Sequence, residues 1–335
     1  MNPVAQAEQP GTGLVDIRRE FQAVTSECGF YETGQTLTSL KGADRVRWLN
    51  GMVTNNIRDL MPGNGVYAFV LTPQGQIRGD LYAFNRGESL VLEMERAQTE
   101  TLLPLLRRYI IMDKVEVEDL GEITVIGLVG PKSSQALAAI GLNIGELSSL
   151  QSTELSWNAS SITALRKDHP LVDSYELWAP KEIAPGLLEG LRNSGASEIS
   201  DQALELVRIV SGIPKIGMDI REKTLPQETG QDRALNFNKG CYIGQEIVER
   251  IRARGAVHRA LVGFEVEGTA PEPGAKIHSD GKEVGEITSI ATVPTGKVIA
   301  LGVLRKEYSK GEKELLAGEA KVLVTSLPFA EFFRS

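Results

Sequence analysis

The sequence predicts an α+β protein: two duplicated α+β halves around a central cavity, followed by a small C-terminal antiparallel β-barrel. Three observations support this reading. Leu40-x-Gly42 and the helix after it recur as Leu128-x-Gly130 with a helix from Ser133 to Ile140, an offset of 130 − 42 = 88 residues. Later elements keep step, and a repeat of this kind constrains the architecture. Second, apolar periodicity switches repeatedly between strand and helix up to about residue 211. Third, from Leu261 the texture changes to short alternating strands with turns at Pro271-Glu272-Pro273-Gly274, Asp280-Gly281 and Pro294-Thr295-Gly296, ending near Val324. That spacing suits a small barrel. The expected boundaries are a loose tail at 1–13, one half at 14–120, the other at 121–255 and the barrel at 256–335. A ligand cleft is expected between the halves, where clefts commonly form.

Residues 14 to 30 place Val15, Phe21 and Val24 on one side and Arg18, Arg19 and Glu20 elsewhere, the pattern of an amphipathic helix. Leu37 to Leu40 reads as a strand. Lys41-Gly42-Ala43 then leads into a helix through Trp48 and Leu49 that Asn55 and Asn56 close. Gly65 to Leu71, a turn at Thr72-Pro73-Gln74-Gly75-Gln76, and Ile77 to Phe84 form a hairpin that carries Asp80. A strand from Ser89 to Met94, a helix from about Ala97 to Tyr109 and a strand at Val115 to Glu118 complete the order β-α-β-β-β-α-β. In the second half Ile162 to Leu165 and Tyr175 to Trp178 read as strands and Ile183 to Asn193 as a helix. Asp201, as N-cap, opens a further helix to Ser211. The loop from Gly212 to Asn238 is long, and long loops in compact domains are usually functional.

The chain has 335 residues, 41% hydrophobic and 24% charged, with a net charge of −8. It is long enough for two or three domains with a sizeable core. The acidic balance argues against a general nucleic-acid or anionic-membrane binder. Two cysteines, Cys28 and Cys241, supply neither a disulfide framework nor the four thiolates of an iron–sulfur cluster, and they suggest a reducing compartment. No apolar run approaches the ~20 residues of a membrane span, and the first residues lack the marks of a signal peptide. A cytoplasmic monomer is expected. His169 and His278 read as turn or loop residues, and the scattered histidines form no metal set.

The densest chemistry lies in Lys239-Gly240-Cys241-Tyr242-Ile243-Gly244-Gln245-Glu246. The glycines allow a tight turn and close backbone approach. In an extended segment Lys239 and Cys241 would share a face, and the ammonium would favour the thiolate. Gln245 and Glu246 add an amide and a carboxylate. Beyond them, residues 249 to 259 hold Arg250, Arg252, Arg254, His258 and Arg259, an arginine cluster suited to carboxylates.

This octapeptide resembles the signature of the YgfZ-type folate-binding proteins that assist iron–sulfur enzymes, a branch of the glycine-cleavage T-protein (aminomethyltransferase) superfamily. Arg208-Ile209-Val210-Ser211-Gly212-Ile213-Pro214, Thr224-Leu225-Pro226-Gln227-Glu228 and Trp48 to Ile57 match the same branch in order and spacing. The resemblance implies tetrahydrofolate or a substituted folate in the central cavity, with no metal or cluster of the protein's own. Asp80 falls where T-proteins carry an aspartate pair, and Gly79 replaces its first member. Val210 stands where T-proteins carry a pterin-gripping glutamate, a role that Glu228 or Glu246 would have to supply. Cys241 and Asp80 are the expected reactive groups. Asn55, Glu228, Lys239, Gln245, Glu246, Arg252 and Arg254 join Asp80 as expected folate contacts. The implied function is a folate-binding accessory protein for iron–sulfur enzymes and their assembly factors. The alternatives are a folate-dependent aminomethyltransferase and a folate-independent scaffold.

Overall fold

The computed structural model describes residues 12–255, 257–311 and 313–333. Most of the expected tail lies outside these residues, as do the side chains of Val15 and Arg254. The chain opens with α1 (Thr12–Ser26) and β1 (Gly29–Glu32). The helix therefore stops four residues earlier than its periodicity suggested, because Gly29 and Phe30 are drawn into a sheet with Val129 and Leu128.

The first half contains β2 (Gln35–Lys41), α2 (Arg45–Met52), β3 (Gly65–Leu71), β4 (Ile77–Asn85), β5 (Leu90–Glu95) and α3 (Arg96–Arg107), and β6 (Glu116–Asp119) leads into the second half. The second contains β7 (Ile123–Val129), α4 (Ser133–Ala139), β8 (Ser152–Trp157), β9 (Ser160–Arg166), β10 (Ser174–Pro180), α5 (Ala184–Asn193) and β11 (Ser197–Glu198). β8, like β1, is a strand that the sequence pattern did not reveal. Asn55 and Asn56 lie beyond the end of α2, which Val53 caps.

The two sheets run β3-β4-β5-β2-β6 and β8-β9-β10-β7-β1-β11. Their equivalence includes an exchange. β1 leads directly into β2 yet pairs with β7, and β6 leads directly into β7 yet pairs with β2. Each half thus lends its leading strand to the other sheet. The sheets also pack face to face, with Leu37, Phe84 and Val91 meeting Val125, Leu165 and Trp178. Phe84 and Trp178 contact edge to face at 5.2 Å. Helices α2 and α3 cover the outer face of one sheet, and α4 and α5 that of the other.

The repeated Leu-x-Gly has a physical reason in both halves. Gly42 and Gly130 take left-handed backbone angles of φ 99° and 132°. A Cβ would lie 2.1 Å from the carbonyl oxygen of Lys114 at Gly42, and 2.4 Å from that of Glu27 at Gly130. These are the chain segments entering the exchanged strands, so glycine is what lets the two crossings approach.

After α6 (Asp201–Val210) the long loop holds two single 3-10 turns, at Pro226–Glu228 and Asp232–Ala234, and ends in α7 (Gln245–Arg254). The N-cap of α6 is Ser200, whose hydroxyl accepts from the Ala203 N–H; Asp201 is the first helical residue, where its charge complements the helix dipole. Strands β12 (Arg259–Glu267), β13 (Lys276–Ser279), β14 (Lys282–Thr292), β15 (Val298–Arg305), β16 (Leu316–Ala317) and β17 (Ala320–Thr325) close a barrel, followed by α8 (Ala330–Phe333). His278 lies within β13 and not in a loop, because its backbone pairs on both sides. Val207 and Val210 of α6 pack with Ile299, Leu301 and Phe329, seating the barrel on the body. Among the described residues no helix is long and apolar enough to cross a membrane.

Gly42→Ala and Gly130→Ala should each lower stability by about 2 kcal/mol, from left-handed strain plus the carbonyl clash. Urea unfolding checks this; an unchanged midpoint in both would show that the crossings do not need the close approach.

Candidate functional site

Between the β2–β5 sheet, α6 and the long loop lies a polar cavity of about 130 Å³. The pleat builds one wall. Tyr67 of β3 lies opposite Tyr82 of β4, and Tyr82 lies opposite Glu93 of β5. Asp80 shares the face of Tyr82, and Glu95 that of Glu93, two residues away along each strand. Arg233 and Lys215 come from the long loop and Arg208 from α6.

Asp80 is held from two sides. Tyr67 donates its hydroxyl to Oδ2 at 2.6 Å, and the Gln98 amide donates to Oδ1 at 2.8 Å. The same Gln98 accepts from the Asp80 backbone N–H at 3.0 Å. Burial raises the Asp80 pKa, against the lowering pull of these hydrogen bonds. Gly79 faces the other way. A Cβ there would lie 2.5 Å from Gln98 Oε1 and 2.6 Å from Leu102, so any second carboxylate would collide with the residue that positions the first.

Arg233 lies with its guanidinium 4.4 Å from the Tyr67 ring centroid and ion-pairs with Asp168. Tyr82 donates to the same Asp168 at 2.9 Å. Deeper in, Lys167 donates to both oxygens of Glu93, at 2.7 and 2.9 Å, lies 3.3 Å from Glu176 and sits over the Tyr82 ring. Glu93 and Glu176 come from opposing sheets, so one ammonium joins the halves. Burial and the Glu93 charge push the Glu176 pKa up to about 8, despite Lys167.

The expected site residues do not all gather here. Asp80 lines the cavity; Asn55 stands at its edge, donating to the carbonyls of Tyr67 and Arg233 at 2.8 Å each. Glu228 accepts from the Leu225 N–H at 2.9 Å and so caps its own turn. Lys239 is 2% exposed and donates to the Asn50 and Val53 carbonyls at the end of α2. Burial, with nearby Arg58, lowers its pKa to about 7. Cys241 is exposed. The shared face expected for Lys239 and Cys241 is therefore not formed: Gly240 turns the chain through φ 91° between them, and the ammonium serves helix α2. Gln245 accepts from the Tyr242 N–H at 3.3 Å at the start of α7, and Glu246 is exposed. Arg252 pairs with Glu249 at 3.6 Å and stacks over Phe237. Val210 is buried against the barrel. Tyr67, Tyr82, Glu93, Lys167, Arg233 and Glu176 escaped the sequence reading. Glu93 left a signal, a lone carboxylate within the apolar run Leu90-Val91-Leu92-Glu93-Met94.

The signature and the cavity are nonetheless connected. Thr54 donates to the Ala234 carbonyl at 2.6 Å, and Asn236 donates its N–H to the Thr54 carbonyl at 3.0 Å. The segment from Arg233 to Lys239 is thereby fastened along residues 50 to 56. Among the described residues no His, Cys, Asp and Glu group is arranged to hold a metal.

Glu176 keeps its proton to about pH 8 when folded and only through the ordinary carboxylate range when unfolded. Folding therefore takes up a proton between those values, and stability falls as pH rises across that window. The thermal midpoint should decline from pH 5 to pH 8, and Glu176→Gln should flatten the decline. A wild-type profile no steeper than the variant's would overturn the assignment.

Comparison with known proteins agrees with this geometry. Residues 12–239 match the model of the GCVT N-terminal domain, and residues 259–330 match the glycine cleavage T-protein C-terminal barrel domain. An aminomethyltransferase of Rubrobacter xylanophilus is 27% identical over 321 residues, covering 93% of this chain and 86% of that protein. A Yersinia pestis protein named tRNA-modifying protein YgfZ is 33% identical over 227 residues, 67% of each chain. The crystal structure of the Bartonella henselae glycine cleavage system aminomethyltransferase T superposes with a TM-score of 0.86 at 22% identity, covering 94% of this chain and 90% of that one. With both domain models matched in order along one fold, the chain belongs to the glycine cleavage T-protein family and carries that family's fold.

Proposed function

We propose that this protein binds tetrahydrofolate or a substituted folate between its halves and acts as an accessory factor in the assembly or repair of iron–sulfur enzymes. The observation that carries this reading is Asp80 without a carboxylate beside it at position 79. Both its oxygens are already engaged by Tyr67 and Gln98, and the strand beside it has no room for a second carboxylate at Gly79. Such a site suits recognition of a ring N–H edge better than group transfer.

The lining fits a reduced folate chemically. Asp80 offers a carboxylate, Tyr67 and Tyr82 offer aromatic faces, and Glu93 and Glu95 add acceptors. The volume of about 130 Å³ is below the roughly 300 Å³ at which small-molecule pockets begin. The Arg233 guanidinium, partly exposed and stacked over Tyr67, is the group whose displacement would open it. A bound folate would supply the ring amines that carry one-carbon units; Asp80 would orient the N–H it meets. Cys241, exposed on a turn that buried Lys239 braces against α2, is suited to contact a partner protein.

Aminomethyl transfer is the second reading, and Glu95 favours it. This further carboxylate faces the cavity, with its pKa raised by burial, and could take the part of the carboxylate missing at 79.

Calorimetry with tetrahydrofolate should show saturable binding that Asp80→Ala weakens at least tenfold, about 1.4 kcal/mol. Cys241→Ser should retain folate binding yet fail to maintain iron–sulfur enzyme activity in cells lacking the wild-type protein. Full support by the Ser variant would remove the accessory role of the thiol. Folate-dependent formaldehyde release from an aminomethyl donor would establish transfer instead.

A further inference from the structure

A second concavity, of about 740 Å³, lies between the barrel wall and the turn at residues 219–229, and it shares no lining residue with the Asp80 cavity. Strands β12 and β15 form part of its barrel wall, and β13 and β14 supply Lys276, Glu283, Glu286 and Thr288. In the antiparallel register of β12 and β15, Arg259 stands directly opposite Arg305, and Leu261 stands opposite Val303. All four line the cleft. Like charges directly opposed across two strands destabilise a sheet unless something neutralises them.

No protein group does so here. Neither guanidinium has an ion pair or hydrogen bond among the described residues. The acids around the cleft are mostly committed elsewhere. Asp219 is bound by Arg208, Thr288 and Ser289. Glu286 pairs with Arg221 and Lys276, Glu283 with Lys276, and Glu228 caps its own turn. Glu222 is exposed on the turn and pairs with neither arginine. His258, also exposed, adds a further potential cation beside Arg259. Because the chain as a whole carries −8, this unrelieved pair is a local exception to an acidic surface.

We propose that the cleft is a binding site for a phosphate monoester, with the dianionic head between Arg259 and Arg305 and the apolar body of the ligand against Leu261 and Val303. Two guanidinium forks present N–H donors to several oxygens at once, and a tetrahedral dianion meets them with three acceptor oxygens and about twice the charge of a single carboxylate. The volume is that of an ordinary small-ligand pocket. Both arginine side chains are exposed, so solvent screens part of their repulsion in the empty site and a bound dianion would remove the rest.

The test uses the full chain in phosphate-free buffer at fixed ionic strength, with inorganic phosphate, adenosine monophosphate and tri-γ-glutamate as probes. Adenosine monophosphate should bind saturably and raise the melting temperature, at least tenfold more tightly than tri-γ-glutamate. Arg259→Gln and Arg305→Gln should each weaken that binding at least tenfold. Without any probe the same variants should melt at or above wild type, since the substitution relieves repulsion; Arg305→Lys should weaken binding without that gain. Tighter binding of tri-γ-glutamate, equal binding by the Gln variants, or no saturable response to either phosphate probe would overturn the proposal. Gln variants that melt well below wild type would overturn it too. Folate binding at the Asp80 cavity should be unchanged throughout.

Discussion

The exchange of β1 and β6 between the two half-sheets is the constraint on which the rest depends. Each half supplies its partner's sheet with the strand that immediately precedes its own first strand. Separating the halves would break two sets of strand pairs as well as the Phe84–Trp178 contact. The sheet that carries Asp80 is therefore fixed to its partner sheet by backbone hydrogen bonds, and its side chains can be positioned without a large movable hinge. Gly42 and Gly130 serve this arrangement, not the ligand, which is why the most visible internal repeat lies away from the site.

A fixed gap between two sheets must be filled, and here part of the filling is charged. Lys167, Glu93 and Glu176 are nearly inaccessible, with side-chain exposures of 13%, 1% and 7%. Two buried carboxylates cannot both ionise cheaply around one ammonium, so Glu176 retains a proton and the cluster approaches neutrality. The same low-dielectric surroundings raise the Asp80 pKa. Hydrophobic packing at Leu37, Phe84 and Leu165 holds the sheets together. The polar remainder makes the space between them chemically usable.

The signature loop shows how one set of residues can be divided between structure and function. Lys239 turns its ammonium to the open carbonyls at the end of α2, where cations are favoured by the helix dipole, and the same ammonium lies 4.7 Å from the Tyr242 ring centroid. That leaves the Cys241 thiol outside on a glycine turn. The run from Arg233 to Lys239, fastened along Asn50 to Asn56, gives the cavity and the thiol a common support.

The sequence by itself determined the class of fold, the duplication, the barrel and most element types, because these follow from local periodicity, turn residues and glycine. It also placed Asp80 on a strand, where the two-residue period sets the direction of its side chain. Only the tertiary structure decided which strands are shared between halves, since β1 and β6 carry nothing local that names a partner sheet. Only it separated Lys239 from Cys241, because a left-handed glycine between them reverses the alternation that an extended segment would impose. And only it brought Glu93, Lys167, Glu176 and Arg233 together from distant parts of the chain, where mutual charge and burial, neither of which spacing reveals, set their chemistry.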